Sequence, residues 1–300
     1  MDMTQNKCCR YGTNLRRRRR RRRKILRSII FSCSIIAVAV FVAVGSSMIR
    51  SGDGRTNRYD VEAGNNTYDN AVIENSKISE KNKIQNNQSM LDDIMNSTQY
   101  PKQLKDLALK NEEALEFVYD YPTEHVKEHT IDLTEEASID SVPLFVQWDK
   151  RWGYEKYSGN FFAASGCGPT TLSMVVVYLT HNSDASPLAV AKYSKEAGYS
   201  VDGSGSSWTL ISEGCMHYGV KAKAVALDES RMKAELDEGH PIVVNVGPGD
   251  FTDTGHFMVI TGYDDEGFSI NDPNSIEKSG KRWLFKNISS QIRAVWSMYV

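Results

Sequence analysis

The sequence predicts an α+β domain carried behind a single membrane helix and a stalk. Three observations lead there. The run "IIFSCSIIAVAVFVAVGSSMI", Ile29 to Ile49, carries no charge, and as a helix at about 1.5 Å per residue it spans roughly 30 Å of hydrocarbon. Downstream, "SGCGPTTLSMVVVYL" places Pro169, with its backbone angle preset for a first turn, ahead of a segment apolar nearly all round, the mark of a buried helix. Helical patterns fill the first half of the C-terminal region and strand patterns the second, an α+β order.

Charge sets the orientation. Residues 1–27 hold 12 of the 36 Lys and Arg and only Asp2 among the acids, so the near-neutral total of −2 conceals a basic tail on an acidic remainder. Standing alone, Arg16 to Arg23 would suggest a nucleic-acid partner. Directly before an apolar span it reads instead as a cytoplasmic flank that leaves the bulk of the chain outside, with no nucleic acid expected. A cleaved signal peptide is the alternative, since Ala43 and Gly45 form a small-x-small pattern, but the apolar run exceeds the usual signal core of about 7–15 residues. The reading is therefore a cytoplasmic tail over 1–28, a transmembrane helix over 29–49, and, over 50–98, a flexible stalk rich in Asn, Ser and charge without apolar periodicity.

Residues 99–139 form a short extension. "YPKQLKDLALKNEEALEFVYDYP" divides into two amphipathic helices, one opening at Pro101 and one capped by Asn111. "HVKEH", His125 to His129, matches the H-x-x-E-H zinc pattern, but it sits in a polar connector after Pro122 without the long buried helix a metal site needs, so no metal is expected.

The domain proper occupies 140–300. Helices are expected from Gly168, over Pro187 to Ala197 and over Ser206 to Tyr218, then one capped by Asp228 and ending at Gly239. Strands follow at "PIVVNV", "HFMVITGY", "FSIND", "RWLF" and "AVWSMYV".

Of five cysteines, Cys8 and Cys9 fall in the tail and Cys33 in the span, leaving Cys167 and Cys215 outside. Two cysteines make no disulfide framework, although one bridge between them is conceivable. Cys215 recurs at helical spacing with Trp208 and Ile211 and reads as core. Cys167 lies at a helix N-terminus, where unpaired N–H groups favour a thiolate. A structural thiol is the plainer alternative. A thiolate nucleophile needs a base and the base an orienting partner. In "GHFMVITGYDDEGFSINDP" a hairpin returns His256, at the start of one strand, to Asp272, at the end of the next. Asp264 and Asp265 lie at the far tip, where the turn accounts for them.

The order "VPLFVQWD", "SGCGPTTLSMV", "GHFMVITGY" and "INDPNS" resembles papain-like cysteine peptidases related to the bacteriocin-processing, double-glycine leader peptidases, and the two-helix segment is similar to an extension of clostridial, membrane-anchored members. The resemblance implies a papain-like fold with Cys167 as nucleophile, His256 as general base, Asp272 as orienting acid and Gln147 as an oxyanion-hole side chain, with no cofactor. It implies hydrolysis of peptide bonds in a peptide or protein, wall peptides included, by a single-pass cell-membrane protein with its catalytic domain outside. An acyltransferase on the same fold and a non-catalytic peptide-binding module are the alternatives. Oligomeric state is not legible.

Overall fold

The computed structural model describes the backbone from Asn65 and the side chains from Ser79. The basic tail, the expected span over 29–49 and the first part of the stalk lie outside the described residues. Among the described residues no helix is long and apolar enough to cross a membrane.

The chain after 64 is not an open stalk. Asn65–Asn96 forms one helix, α1. Most of its residues are polar in sequence, so periodicity gives no signal over its length. Its last turns differ: Ile94 is fully buried, with Met90 and Leu91 packed beside it against Leu104, Leu107, Leu115 and Val118. Those partners belong to two helices, α2 over Lys102–Lys110 and α3 over Leu115–Tyr119. Pro101 precedes the first, and the Asn111 side chain accepts from the Glu113 N–H at 3.0 Å to start the turn leading into the second. The same apolar cluster takes in Phe161 and Ala163, residues just ahead of Cys167.

The main body is a buried helix against a sheet. Helix α4, Cys167–Thr180, has Gly168 to Tyr178 all buried, consistent with its lack of a polar face. It packs on α5, Pro187–Glu196, whose cap is the Ser186 hydroxyl accepting from Ala189 N–H at 3.2 Å. The expected helix over 206–218 is replaced by three pieces: Gly205–Ser206 pairs with Ser200–Val201, Thr209–Ser212 makes one α turn, and Gly214–Tyr218 is a 3₁₀ turn. Gly214 breaks the run where a Cβ would press on Tyr199 and Leu210 at 3.0 and 3.2 Å. Helix α6, Glu229–Asp237, begins at Asp228, whose carboxylate accepts from Arg231 N–H at 3.0 Å.

Six antiparallel strands complete the domain: β1 Lys221–Ala224, β2 Ile242–Val246, β3 His256–Asp264, β4 Gly267–Asn271, β5 Arg282–Trp283 and β6 Ile292–Tyr299, in the spatial order β1-β6-β2-β3-β4-β5. Strand β1, "KAKA", alternates Lys with small Ala over only four residues and buries little more than part of Ala222, too weak a pattern to mark a strand. Alternation in the central strands divides two cores. Val243, Phe257, Val259, Trp296 and Met298 face the α4 side, while Val244, Val246, Met258, Ile260 and Val295 pack with Met232 and Leu236 of α6. Burial on both faces is what makes these strands near-continuous apolar runs.

Docking of α1 through Ile94 can be tested directly. Ile94→Ala should cost about 2–4 kcal/mol of stability in denaturant unfolding. Unchanged stability would show that α1 does not pack on the extension.

Candidate active site

Cys167 is the first residue of α4, His256 the first of β3, and Asp272 follows the last residue of β4. The hairpin does the assembling. Register pairs His256 with Val246 on β2 and Val259 with Asn271 on β4, so the strand start and strand end lie at one edge of the sheet. The Thr171 hydroxyl, one turn into α4, donates to the Phe257 carbonyl at 3.1 Å and fixes the helix against the strand beside His256. Asp264 and Asp265 remain at the other end, where Asp264 pairs with Arg282 at 2.6 Å.

The His256 Nε2 lies 2.7 Å from Asp272 Oδ1, and the imidazole is close enough to Cys167 for each group to shift the other's protonation. With Nε2 engaged by the carboxylate, Nδ1 is the nitrogen left for the thiol. Asp272 is fully buried and His256 nearly so, while Cys167 is half-buried. Asp272 Oδ1 takes a second hydrogen bond from Asn274 N–H at 2.8 Å, and Oδ2 has no hydrogen-bond partner.

These contacts move protons in opposite senses. Burial pushes the Cys167 thiol up, but the hydrogen bond to His256, the imidazolium charge and backbone hydrogen bonds at Phe257 and Gly168 together hold it below the ordinary thiol value. Burial disfavours protonated His256, yet the Asp272 charge and hydrogen bond, joined by Cys167, raise it to about 10. Both shifts favour the thiolate–imidazolium pair over the neutral one. Because folded His256 keeps a proton that a free histidine loses, its stabilising contribution is full below the ordinary histidine range and fades as pH climbs to about 10.

Cys215 contrasts on every count. It is fully buried, burial pushes its thiol up to about 11, and both it and Cys167 are free thiols, so no bridge joins them.

The glycines flanking Cys167 answer to packing. A Cβ on Gly166 would meet the Phe162 ring at 2.5 Å, and one on Gly168 would meet the Ser206 hydroxyl at 2.5 Å. The segment "DGSGSSW", Asp202 to Trp208, therefore packs through Ser206 on the start of α4.

Gln147 is buried and acts as a strut. Its backbone N–H donates to Pro273 O at 2.7 Å, and its side-chain Nε2 donates to Ala163 O at 2.7 Å, linking the turn after Asp272 to the turn before Cys167. Its Oε1 has no hydrogen-bond partner. Asn271 adds to this frame by donating to the carbonyls of Val142 and Pro143. Sequence reading found Gln147 but not this double attachment, for which a single Gln gives no signal.

His125 and His129 are elsewhere and have local partners. His125 stacks on Tyr121, and His129 Nε2 lies 3.2 Å from Glu124 O. Among the described residues no group of three or more His, Cys, Asp or Glu is placed to hold a metal ion.

A sequence model described as a peptidase C39-like family matches residues 139–300. No curated protein sequence matches the chain. Among solved structures, the peptidase domain of Streptococcus ComA, a bifunctional ABC transporter involved in quorum sensing, is similar at 19% identity and a TM-score of 0.38, covering 53% of this chain and 96% of that one. A C39-like peptidase from Bacillus anthracis is similar at 16% identity and a TM-score of 0.33, covering 57% and 98%.

The site makes a selective prediction. Iodoacetamide should label Cys167 below the ordinary thiol range of pH and leave Cys215 unmodified in the folded protein. In Asp272→Asn, which keeps a hydrogen bond but loses the charge, the Cys167 alkylation profile should move to higher pH. An unmoved profile would remove Asp272 from the site.

Proposed function

The chain belongs to the peptidase C39-like family, and from that membership we propose that it is a cysteine peptidase hydrolysing peptide bonds through Cys167, His256 and Asp272. The observation that carries the reading is the 2.7 Å contact between His256 and a fully buried Asp272, on an imidazole whose other partner is Cys167. A carboxylate so placed fixes the imidazole's orientation and stabilises its protonated form.

The chemistry follows from the protonation states. The Cys167 thiolate attacks the carbonyl carbon of the scissile amide, and the carbonyl π electrons move to oxygen. The Cys167 backbone N–H, at the N-terminus of α4, is the first donor for that oxyanion, and the Gln147 amide, which spends one hydrogen on Ala163, is the second. As the tetrahedral species collapses, the C–N bond breaks and His256 gives its proton to the departing amine, leaving a thioester on Cys167. Neutral His256 then takes a proton from water, whose oxygen attacks the thioester carbon. Cleavage of the C–S bond releases the carboxylic acid and regenerates thiolate and imidazolium.

The substrate is a peptide or protein outside the cytoplasm. Arg16 to Arg23 before the uncharged Ile29 to Ile49 supports a single-pass anchor with its N-terminus inside and the peptidase domain outside.

Incubating the full chain with a peptide library and reading products by mass spectrometry tests this. Wild-type protein should produce new termini with water-derived oxygen, and Cys167→Ala should lower the rate on the order of a thousandfold or more while Cys215→Ala retains it. Equal rates in wild type and Cys167→Ala would refute the reading. Products joined to an added amine in place of water would redirect it to acyl transfer.

A further inference from the structure

The two-helix extension reaches the catalytic acid. We propose that Asn111 and Glu113, which lie outside the family match over 139–300, are positioning residues for Asp272, holding the turn that aims its carboxylate at His256. This rests on the peptidase reading above for its consequence in catalysis, though the positioning can be read without substrate.

The contacts run in series. Asn111 Nδ2 donates to the Asn274 carbonyl at 2.9 Å and to Asn274 Oδ1 at 3.1 Å. The Asn274 N–H donates in turn to Asp272 Oδ1 at 2.8 Å, the same oxygen that meets His256. Glu113 grips the next residues: it accepts from the Ser275 hydroxyl, from Ile276 N–H at 2.7 Å and from Glu277 N–H at 3.1 Å. Asn111 and Ser275 are both buried. One short turn of the extension thus holds four consecutive residues, Asn274 to Glu277, that lie more than 160 positions away in sequence.

Asp272 has particular need of such support. Its Oδ2 is buried with no hydrogen-bond partner, so Oδ1 alone sets its direction, through His256 and the Asn274 N–H. Inside the turn the backbone is joined by Ser275 N–H to Asp272 O at 3.2 Å and through the Ser279 hydroxyl, which accepts from Asp272 N–H at 2.9 Å and donates to Ser275 O at 2.6 Å; none of these bonds touches the carboxylate. Released by the extension, the Ile276 and Glu277 amides would lose their acceptor, and the Asn274 carbonyl would keep only the long hydrogen bond from the Trp148 indole at 3.3 Å. The cluster that carries Asn111 and Glu113 also buries Phe161 and Ala163 ahead of Cys167, so one element braces the turn before the nucleophile and the turn after the acid.

Full-length variants separate positioning from stability. Asn111→Asp keeps the oxygen that caps Glu113 but sets an acceptor against the Asn274 carbonyl. Glu113→Ala removes the grip on Ser275 to Glu277, and Glu113→Gln restores an accepting oxygen. Asn111→Ser, which keeps a capping oxygen and drops only the donor, is the mild variant should Asn111→Asp fail to fold. At a temperature where circular dichroism shows each variant folded, the disruptive changes should lower kcat on the order of ten- to a hundredfold with KM little changed. They should also move the Cys167 alkylation profile to higher pH, and Glu113→Gln should recover most of both effects. Variants that lose thermal stability yet keep the kcat and the alkylation profile would overturn the proposal, as would a raised KM with unchanged kcat. If the wild type cleaves no peptide, the peptidase reading fails alone, because the alkylation profile still decides whether the extension positions Asp272.

Discussion

The hydrogen bond between His256 and Asp272 is the constraint on which the rest of the site depends. Both groups are out of water, Asp272 completely, and a buried carboxylate is tolerated only where a charge and hydrogen bonds offset its lost hydration. Here the offset is narrow: one imidazolium at 2.7 Å and one backbone N–H at 2.8 Å. The carboxylate favours the imidazolium against burial, and the imidazolium in turn favours the Cys167 thiolate. Removal of the acid therefore propagates to the sulfur without any contact between the two.

Much of the surrounding fold serves to keep that bond aligned. Strands β3 and β4 bring the two residues to one edge, Thr171 ties α4 to β3, and the segment around Gln147 spans from Pro273 to Ala163. A papain-like logic explains why a helix and a sheet are needed together. The helix N-terminus sets N–H groups beside the sulfur, and the strand holds the imidazole in place. The low thiol and raised imidazole are consequences of this arrangement, with desolvation working against the thiolate and against the imidazolium and losing in both cases.

What could be read from the sequence was what leaves a local mark. The helix after Cys167 was legible because its apolar residues and Pro169 are contiguous, the β3–β4 hairpin because two apolar runs flank a Gly-bearing turn, and Cys215 because it repeats with Ile211 at helical spacing. What was not legible depends on distant partners. The helix over Asn65–Asn96 is mostly polar and its burial rests on Ile94 and neighbours meeting α2 and α3. The region from Ser206 to Tyr218 has helical spacing, but packing of Gly214 on Tyr199 and of Ser206 on Gly168 divides it. Strand β1 is an exposed edge paired with β6, and its alternation over four residues is too weak to mark a strand. The packing of Phe162 and Ser206 against the two glycines that flank Cys167 likewise leaves no local mark. Asn111 was recognised as a cap, yet its other hydrogen bond, to Asn274, has no signature in a single sequence.

The measurement that bears most directly on this account is the protonation state of His256 in the resting protein, read from the ring ¹⁵N chemical shifts as pH is raised. The account predicts an imidazolium, with both nitrogens protonated, through neutral pH and up to about 10, and loss of that proton at lower pH once Asp272 is changed to Asn. A neutral imidazole at pH 7 in the wild-type protein would contradict the ion pair, and with it the claim that Asp272 sustains the thiolate.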